Sequence, residues 1–188
     1  MELHELIIPE TGEKMIKITD LAHKLILEKE DIKISVDMTV GKGFDTVFLS
    51  EVSDFVYGFD IQKEAIDFTN KIIEEKQIKN VRLINDNHKN ISDYITKGID
   101  LAIYNLGYLP GSSKEIKTES STTLFSLQKL LSLLNPGGLV IIVLYPHNLD
   151  EINSVREYCS SLPIDFDSLE IKVLNRTNSP FIIHIKKR

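Results

Sequence analysis

The chain has 188 residues, of which 42% are hydrophobic and 27% charged, and its formal net charge is −6. These values are typical of a globular domain with a substantial core, and they exclude a protein that coats nucleic acid through bulk positive charge. The single cysteine, Cys159, excludes an intrachain disulfide and a cysteine-based zinc cluster. Because no apolar run could span a bilayer, we predict one cytoplasmic domain over residues 1–188, with residues 1–30 as an N-terminal helical segment packed on it.

Helical and extended patterns alternate along the chain. In chain order, the sequence predicts a helix over 14–29, a strand over 32–36, a helix over 44–52, a strand over 55–59, a helix over 63–76, a strand over 81–84, a helix over 91–96, a strand over 101–104, helices over 122–134 and 149–160 around a strand over 139–145, and strands over 168–174 and 181–185. This alternation predicts a Rossmann-like, doubly wound, mostly parallel α/β sheet with an antiparallel C-terminal hairpin.

A glycine pair follows the first predicted strand. Gly41 and Gly43 allow a tight turn and a close approach of the backbone to a ligand. A dinucleotide-binding fingerprint would have a third glycine where Thr46 stands, and the Asp45 carboxylate at the helix start would repel a pyrophosphate. The loop therefore favours an adenosine cofactor without phosphates, such as S-adenosylmethionine.

Acidic residues close the first three strands. Asp37 and Asp45 suit the ammonium and sulfonium of S-adenosylmethionine, although Asp45 could equally be an acid favoured by the helix dipole. Asp60 ends the second strand, about twenty residues beyond the loop, where a ribose-binding carboxylate is expected. Asp86 follows the third strand and is either an acceptor for the adenine amino group or a turn residue.

The segment from Asn105 to Gly111 follows the fourth strand and resembles the Asn-Pro-Pro-Tyr loop of methyltransferases that act on exocyclic nitrogen. A carboxamide oxygen at Asn105 can hold the hydrogens of an amine and aim its lone pair at a methyl carbon. The ring of Tyr108 can stack on a base. The alternative is a strand-ending asparagine with a tyrosine in the core.

Together, the segments 37–46, 57–62, 105–111, 134–139 and 178–181 resemble the rRNA-methylase family of Gram-positive bacteria, over about residues 6–188. The resemblance implies a class I S-adenosylmethionine methyltransferase fold. It also implies that the substrate is tRNA, in which the amine of 5-aminomethyl-(2-thio)uridine at the wobble position is methylated. The cofactor-binding residues that we predict are Asp37, Thr39, Gly41, Lys42, Gly43, Asp45, Thr46, Asp60, Gln62, Asp86, His88 and Asn105, with Lys42 standing where the family usually has asparagine.

The amine of the target base is an ammonium ion in water and must lose a proton before it can attack. Burial lowers the pKa of such an amine, and a general base can complete the deprotonation. His88, His147 and Tyr108 are the candidate bases, and we predict Asn105, Tyr108 and His147 as catalytic residues. His147 is displaced by one residue from the histidine of the family.

The remaining histidines, His4, His23 and His184, are predicted to be structural or incidental, and no cluster has the spacing of a metal site. The candidate RNA-binding cations are Lys114, Lys117, Lys172, Arg176 and Lys186 to Arg188. The family resemblance makes a homodimer plausible. Three alternatives stay open: an rRNA base methyltransferase, a nicotinamide-dependent oxidoreductase, and a catalytically silent domain that binds RNA or senses the cofactor.

Overall fold

The computed structural model describes residues 16–96, 98–107 and 120–188. Helices and strands alternate as predicted. The helices are α1 (Ile18–Leu27), α2 (Phe44–Val52), α3 (Lys63–Glu75), a 3₁₀ helix (His88–Asp93), α4 (Ser120–Leu133) and α5 (Leu149–Ser160). The strands are β1 (Ile32–Asp37), β2 (Ser53–Asp60), β3 (Val81–Asn85), β4 (Ile99–Asn105), β5 (Leu134–Leu144), β6 (Phe166–Ile171) and β7 (Phe181–Lys187).

The strands form one sheet of seven, in the order β3-β2-β1-β4-β5-β7-β6. The first five strands of this order run parallel to one another, whereas β7 runs antiparallel to both β5 and β6. The chain reverses its direction of travel across the sheet between β1 and β4, which is where ligands bind in doubly wound folds. The predicted fold class is therefore confirmed.

Both faces of the sheet are covered, so its central strands are rich in buried apolar residues. Along β4, Ala102 and Tyr104 face the side covered by α4 and α5, while Leu101 and Ile103 face the side covered by α1 and α2. Helix α1 buries Ile18, Ala22 and Ile26 in this second core. Within the described residues, helix α1 begins at Ile18 and ends at Leu27, whereas the prediction ran over 14–29. Residues 1–15 lie outside the described part.

Several predicted boundaries are shifted; the strand predicted over 168–174, for example, is β6 at Phe166–Ile171. Two of the shifts have a local cause. The helix predicted over 91–96 is a 3₁₀ helix that begins earlier, because the Asn87 side chain accepts a hydrogen bond from the Lys89 backbone N–H at 2.9 Å and caps it. Strand β5 begins at Leu134 rather than at residue 139, through an irregularity in its pairing with β4. There, Asn135 donates to Asp100 at 2.7 Å, which holds this extension against the neighbouring strand.

The register of the parallel strands brings their carboxyl ends to one edge. Asp37 is level with Gly58, Asp60 with Asn85, and Asn105 with Val143. The polar residues that close these strands therefore lie along a single edge of the sheet. No helix in the described ranges is long and apolar enough to cross a membrane.

Candidate active site

The loop between β1 and α2 is hydrogen-bonded to β2 and β4, the strands on either side of β1. Met38 N–H donates to the Ile103 carbonyl at 2.9 Å, and Val40 N–H donates to the Phe59 carbonyl at 3.0 Å. Gly43, at the start of α2, has φ +75°, and a Cβ there would lie 2.6 Å from Cγ2 of Thr69. Glycine is therefore needed at position 43 both for the turn and for the close packing against α3.

Asp37 is fully buried at the end of β1. Its carboxylate accepts a hydrogen bond from the Thr46 hydroxyl at 2.6 Å and another from the Thr39 backbone N–H at 3.0 Å. Burial and the negative charge of Asp45 raise the pKa of Asp37 to about 7, against the opposing effect of these hydrogen bonds. Asp37 therefore changes its charge near neutral pH.

Asp60 ties the loop to the end of β2. One carboxylate oxygen accepts from the Gly41 N–H at 2.8 Å, and the other accepts from the Gln62 N–H at 2.9 Å. Burial raises the pKa of Asp60, and the two backbone hydrogen bonds oppose this shift. Because each carboxylate oxygen can accept more than one hydrogen bond, Asp60 can still receive the two hydroxyls of a ribose.

Asn105 lies at the centre of a hydrogen-bonded row of side chains. Its Nδ2 donates to Asp45 at 3.0 Å, and its Oδ1 accepts from the Tyr145 hydroxyl at 3.1 Å. The other oxygen of Asp45 lies 2.6 Å from Nε2 of His23 on α1. Thr39 accepts from the backbone N–H of Asn105 at 2.8 Å and so joins this row to the glycine loop.

The side chain of Asp86 is engaged within the protein. It accepts from the Asn87 N–H, the Asn90 side chain and the Tyr94 hydroxyl at 2.7 to 3.0 Å. These contacts fit a turn residue, and a contact with adenine stays a prediction for Asp86.

His88 is buried beside Tyr104, and within the described part of the chain its Nδ1 has no hydrogen-bond partner. Burial lowers the pKa of His88 to about 4, so the ring is neutral at neutral pH and is a poor base for an alkyl ammonium. An orphaned ring nitrogen fits a contact with a bound ligand better, which leaves the cofactor role as the stronger of its two predictions.

The structure thus brings together, through hydrogen bonds, Asp37, Thr39, Gly41, Asp45, Thr46, Asp60, Gln62 and Asn105. The side chain of Lys42 is exposed on this loop. His147 is also exposed, with its ring 5.9 Å from that of Tyr145. Tyr108 lies outside the described residues, as do His4, Lys114 and Lys117. In the described ranges, no three His, Cys, Asp or Glu residues are placed to hold a metal ion.

Two residues of this row are not among the predicted site residues. His23 carries no local signal, because only the packing of α1 brings it to Asp45. Tyr145 closes the predicted fifth strand, but its hydrogen bond to Asn105 depends on the pairing of β4 with β5.

Comparison with known proteins identifies the family. The model of the family described as "Putative rRNA methylase" matches residues 56–187. A protein of Arabidopsis thaliana named tRNA (mnm(5)s(2)U34)-methyltransferase, chloroplastic, is 32% identical over 92% of this chain and 70% of its own length.

Two solved structures are similar over nearly the whole chain. A "putative methyltransferase" of Streptococcus mutans, in complex with SAH, is 35% identical, with a TM-score of 0.87 over 93% of this chain and 100% of its own. A "putative rRNA-methylase" of Clostridium thermocellum is 30% identical, with a TM-score of 0.88 over 94% of this chain and 100% of its own. The chain is a methyltransferase and belongs to the rRNA methylase family.

Proposed function

We propose that this methyltransferase uses S-adenosylmethionine to methylate the amino nitrogen of 5-aminomethyl-(2-thio)uridine at the wobble position of tRNA. The observation that carries the proposal is the Asn105 amide at the end of β4, 3.0 Å from the Asp45 carboxylate and oriented by Tyr145. The name of the Arabidopsis relative, which specifies this base, supports the substrate. The complex of the Streptococcus mutans relative with SAH (S-adenosylhomocysteine) supports the cofactor.

The residues of the loop fit this cofactor. Asp60 would hold the ribose hydroxyls, and Gly41 and Gly43 let the backbone approach. His88 offers a ring nitrogen that has no partner among the described residues. Asp37 and Asp45 give the pocket a negative field that suits a cationic ligand. S-adenosylmethionine, when bound, supplies a methyl group activated by its positively charged sulfur.

The Asn105 row suits an amine as the nucleophile. With one lone pair of Oδ1 taken by Tyr145, the other can accept an N–H of the amine and orient its nitrogen. The attacking nitrogen gains positive charge as its bond to carbon forms, and the nearby Asp45 carboxylate stabilises that charge. His147 and Tyr108 stay our candidates for the base that removes the proton of the amine.

A cavity of about 280 Å³ lies beside Tyr145 and supports an RNA substrate. It is lined by the start of α1 and by the connection from β6 to β7, and Lys17 and Arg176 contribute positive charge to its wall. A cavity of about 560 Å³ at residues 76–80 is larger but lies at the opposite edge of the sheet, beside Asn80. We therefore place the RNA at the smaller cavity.

Three of the other cations that we predicted for RNA binding have partners within the described ranges. Arg188 binds Asp167, Lys172 lies 3.5 Å from Glu170, and Lys187 donates to the Leu134 carbonyl. Of the predicted cations within the described ranges, Arg176 is the one beside Tyr145. It donates to the Ile16 carbonyl at 2.9 Å and keeps further N–H groups for a phosphate.

Reversing the two charges of the cavity is expected to weaken tRNA binding. Lys17→Glu with Arg176→Glu should reduce affinity for tRNA by roughly 10- to 100-fold at low salt, because contacts to phosphates dominate such affinities. Affinity for S-adenosylhomocysteine should stay unchanged. Fluorescence anisotropy with labelled tRNA at two salt concentrations measures the effect. Lys172→Glu with Arg188→Glu is the control, since it makes the same change in net charge, and an equal loss in the control would contradict this placement.

Binding of the cofactor is expected to depend on the charge of Asp37. The α-ammonium group of the ligand favours the carboxylate, so affinity for S-adenosylhomocysteine should rise about tenfold from pH 6 to pH 8, with the rise ending above the raised pKa of about 7. Binding at pH 6.5 should release a proton. Calorimetry in buffers of different ionisation enthalpy measures this release. Asp37→Asn should bind without a pH dependence over this range, and an unchanged profile in that variant would assign the titration to another group.

The function itself is tested with tRNA that carries the unmethylated base. Purified protein, S-adenosylmethionine and this tRNA should give a nucleoside heavier by one methyl group in mass spectrometry. Methylation of rRNA in place of tRNA would favour the rRNA alternative. Tight binding of NAD(H), with no response to S-adenosylhomocysteine, would favour the oxidoreductase. Binding of the tRNA without methylation would favour the silent domain. The cytoplasmic location, the homodimer and the single domain over 1–188 stay predictions.

A further inference from the structure

We infer that His23 is a positioning residue for methyl transfer, which acts through Asp45 to fix the amide of Asn105 and makes helix α1 part of the active site. The inference rests on the proposed function for its kinetic test, but its geometric basis is independent of the substrate.

The His23 ring is held in place from two directions. Its Nε2 lies 2.6 Å from one oxygen of Asp45, and its face stacks on Phe48, with the ring centroids 3.8 Å apart and the planes 4° from parallel. Phe48 and Asp45 both belong to α2, so one ring links α1 to α2 by a directional bond and by stacking. A residue that only filled space between the helices would not need the first of these contacts.

The row beyond Asp45 sets the orientation of the Asn105 amide. Nδ2 donates to the second oxygen of Asp45, and Oδ1 accepts from the Tyr145 hydroxyl. If the amide turned over, its oxygen would face the Asp45 carboxylate, which can only accept hydrogen bonds. Asp45 therefore sets the orientation of the amide, Tyr145 donates to the Oδ1 atom so placed, and one lone pair of Oδ1 is left in a fixed direction.

Asp45 can orient the Asn105 amide only if the Asp45 side chain is itself fixed in position. Its side chain is 10% exposed, and the repulsion between it and Asp37 raises the pKa of the latter. Within the described part of the chain, His23 and Asn105 supply the side-chain hydrogen bonds to Asp45. Without His23, one oxygen of a nearly buried carboxylate has no side-chain donor, which favours a turn of the Asp45 side chain away from Asn105.

Two variants separate positioning from packing. His23→Phe keeps a flat ring against Phe48 but removes the hydrogen bond to Asp45. His23→Gln loses the ring but keeps an N–H at nearly the place of Nε2. We expect His23→Phe to lower kcat by roughly 10- to 100-fold, with the KM for tRNA and the affinity for S-adenosylhomocysteine within about twofold of wild type. His23→Gln should recover a large part of kcat although it packs less well.

A third variant tests whether the two residues act as one unit. Adding His23→Phe to Asn105→Ala should cause no further loss of kcat, because the group that His23 positions is already absent. A multiplicative loss in the double variant would overturn the inference. So would a wild-type kcat in His23→Phe, or a kcat that follows thermal stability across the three variants rather than the presence of the N–H.

A spectroscopic readout keeps the inference separate from the proposed function. The side-chain NH₂ resonances of Asn105 in a ¹⁵N-labelled protein report its hydrogen bond to Asp45. They should shift in His23→Phe and return toward the wild-type position in His23→Gln, whatever the substrate. If the wild-type protein fails to methylate the tRNA but these shifts occur, the proposed function fails and the inference stands. Resonances that do not respond to His23→Phe would overturn the inference on their own.

Discussion

Replacing Asn105 with alanine is expected to lower kcat by about 10²- to 10³-fold, because alignment and charge stabilisation at the nucleophile together contribute effects of this size. The variant loses the acceptor for the amine, and it also removes the hydrogen bonds that Asn105 makes to Asp45 and Tyr145. Affinity for S-adenosylhomocysteine should change much less, since Asp60, the residue that we propose for the ribose, keeps its hydrogen bonds to the loop. Single-turnover kinetics on tRNA with the unmethylated base separates the chemical step from binding.

Asn80→Ala provides the matched control for this prediction. Asn80 also makes two hydrogen bonds through its amide, to the carbonyls of Ser50 and Ser53, but it lies just before β3, away from the carboxyl ends of the strands. The Asn80→Ala variant should have a lower free energy of unfolding, but the rate of its chemical step should equal that of the wild type. If Asn105→Ala turned over at the wild-type rate, the positioning role of its amide would be wrong.

The parts of the site that follow directly from strand ends could be predicted from the sequence. A buried strand followed by an acid or an amide places that side chain at the edge of a parallel sheet, which is why Asp37, Asp60 and Asn105 were found. The glycine loop was found for a similar reason, since a positive φ and a close approach limit the residue types at position 43.

The remaining parts depend on tertiary packing and leave no local mark. His23 reaches Asp45 only because α1 buries Ile18, Ala22 and Ile26 against the sheet, which turns the half-buried face that carries His23 toward α2. The early start of β5 depends on the bonding of Asn135 to a residue of β4. Neither contact could be inferred from periodicity, because the pattern of a helix states which face is buried but not what that face meets.

The carboxylates of the three acids near the loop accept hydrogen bonds from different kinds of donor, and this difference separates their roles. The hydrogen-bond donors to Asp37 are one side-chain hydroxyl and one backbone N–H. The side chains of two other residues bind Asp45, and two backbone N–H groups donate to Asp60. Backbone donors cannot be moved by substitution of a neighbour, so Asp60 is the most rigidly placed. A rigid, partly exposed carboxylate is what recognition of a diol requires, since both hydroxyls must be met in a fixed geometry.

Asp60→Ala is therefore expected to weaken binding of S-adenosylhomocysteine by roughly 100-fold. Hydrogen bonds to a charged acceptor contribute about 1.5–3 kcal/mol each, and a tenfold change in affinity corresponds to about 1.4 kcal/mol. The loss of the anchor for the Gly41 N–H adds to the effect. Isothermal titration gives the affinity. Asp67→Ala removes an exposed carboxylate from α3, whose partner is Lys63, and controls for the change in net charge.

An analogue of S-adenosylhomocysteine that lacks the ribose 2′-hydroxyl separates the two roles of Asp60. If the carboxylate binds the diol, the analogue should bind the wild-type protein about tenfold more weakly, and it should bind Asp60→Ala no worse than S-adenosylhomocysteine does. If Asp60 acted only by anchoring the loop, removing the hydroxyl would weaken binding to both proteins by the same factor. That parallel loss would reject the ribose contact while leaving the hydrogen bonds to Gly41 and Gln62 as the reason for the acid at this position.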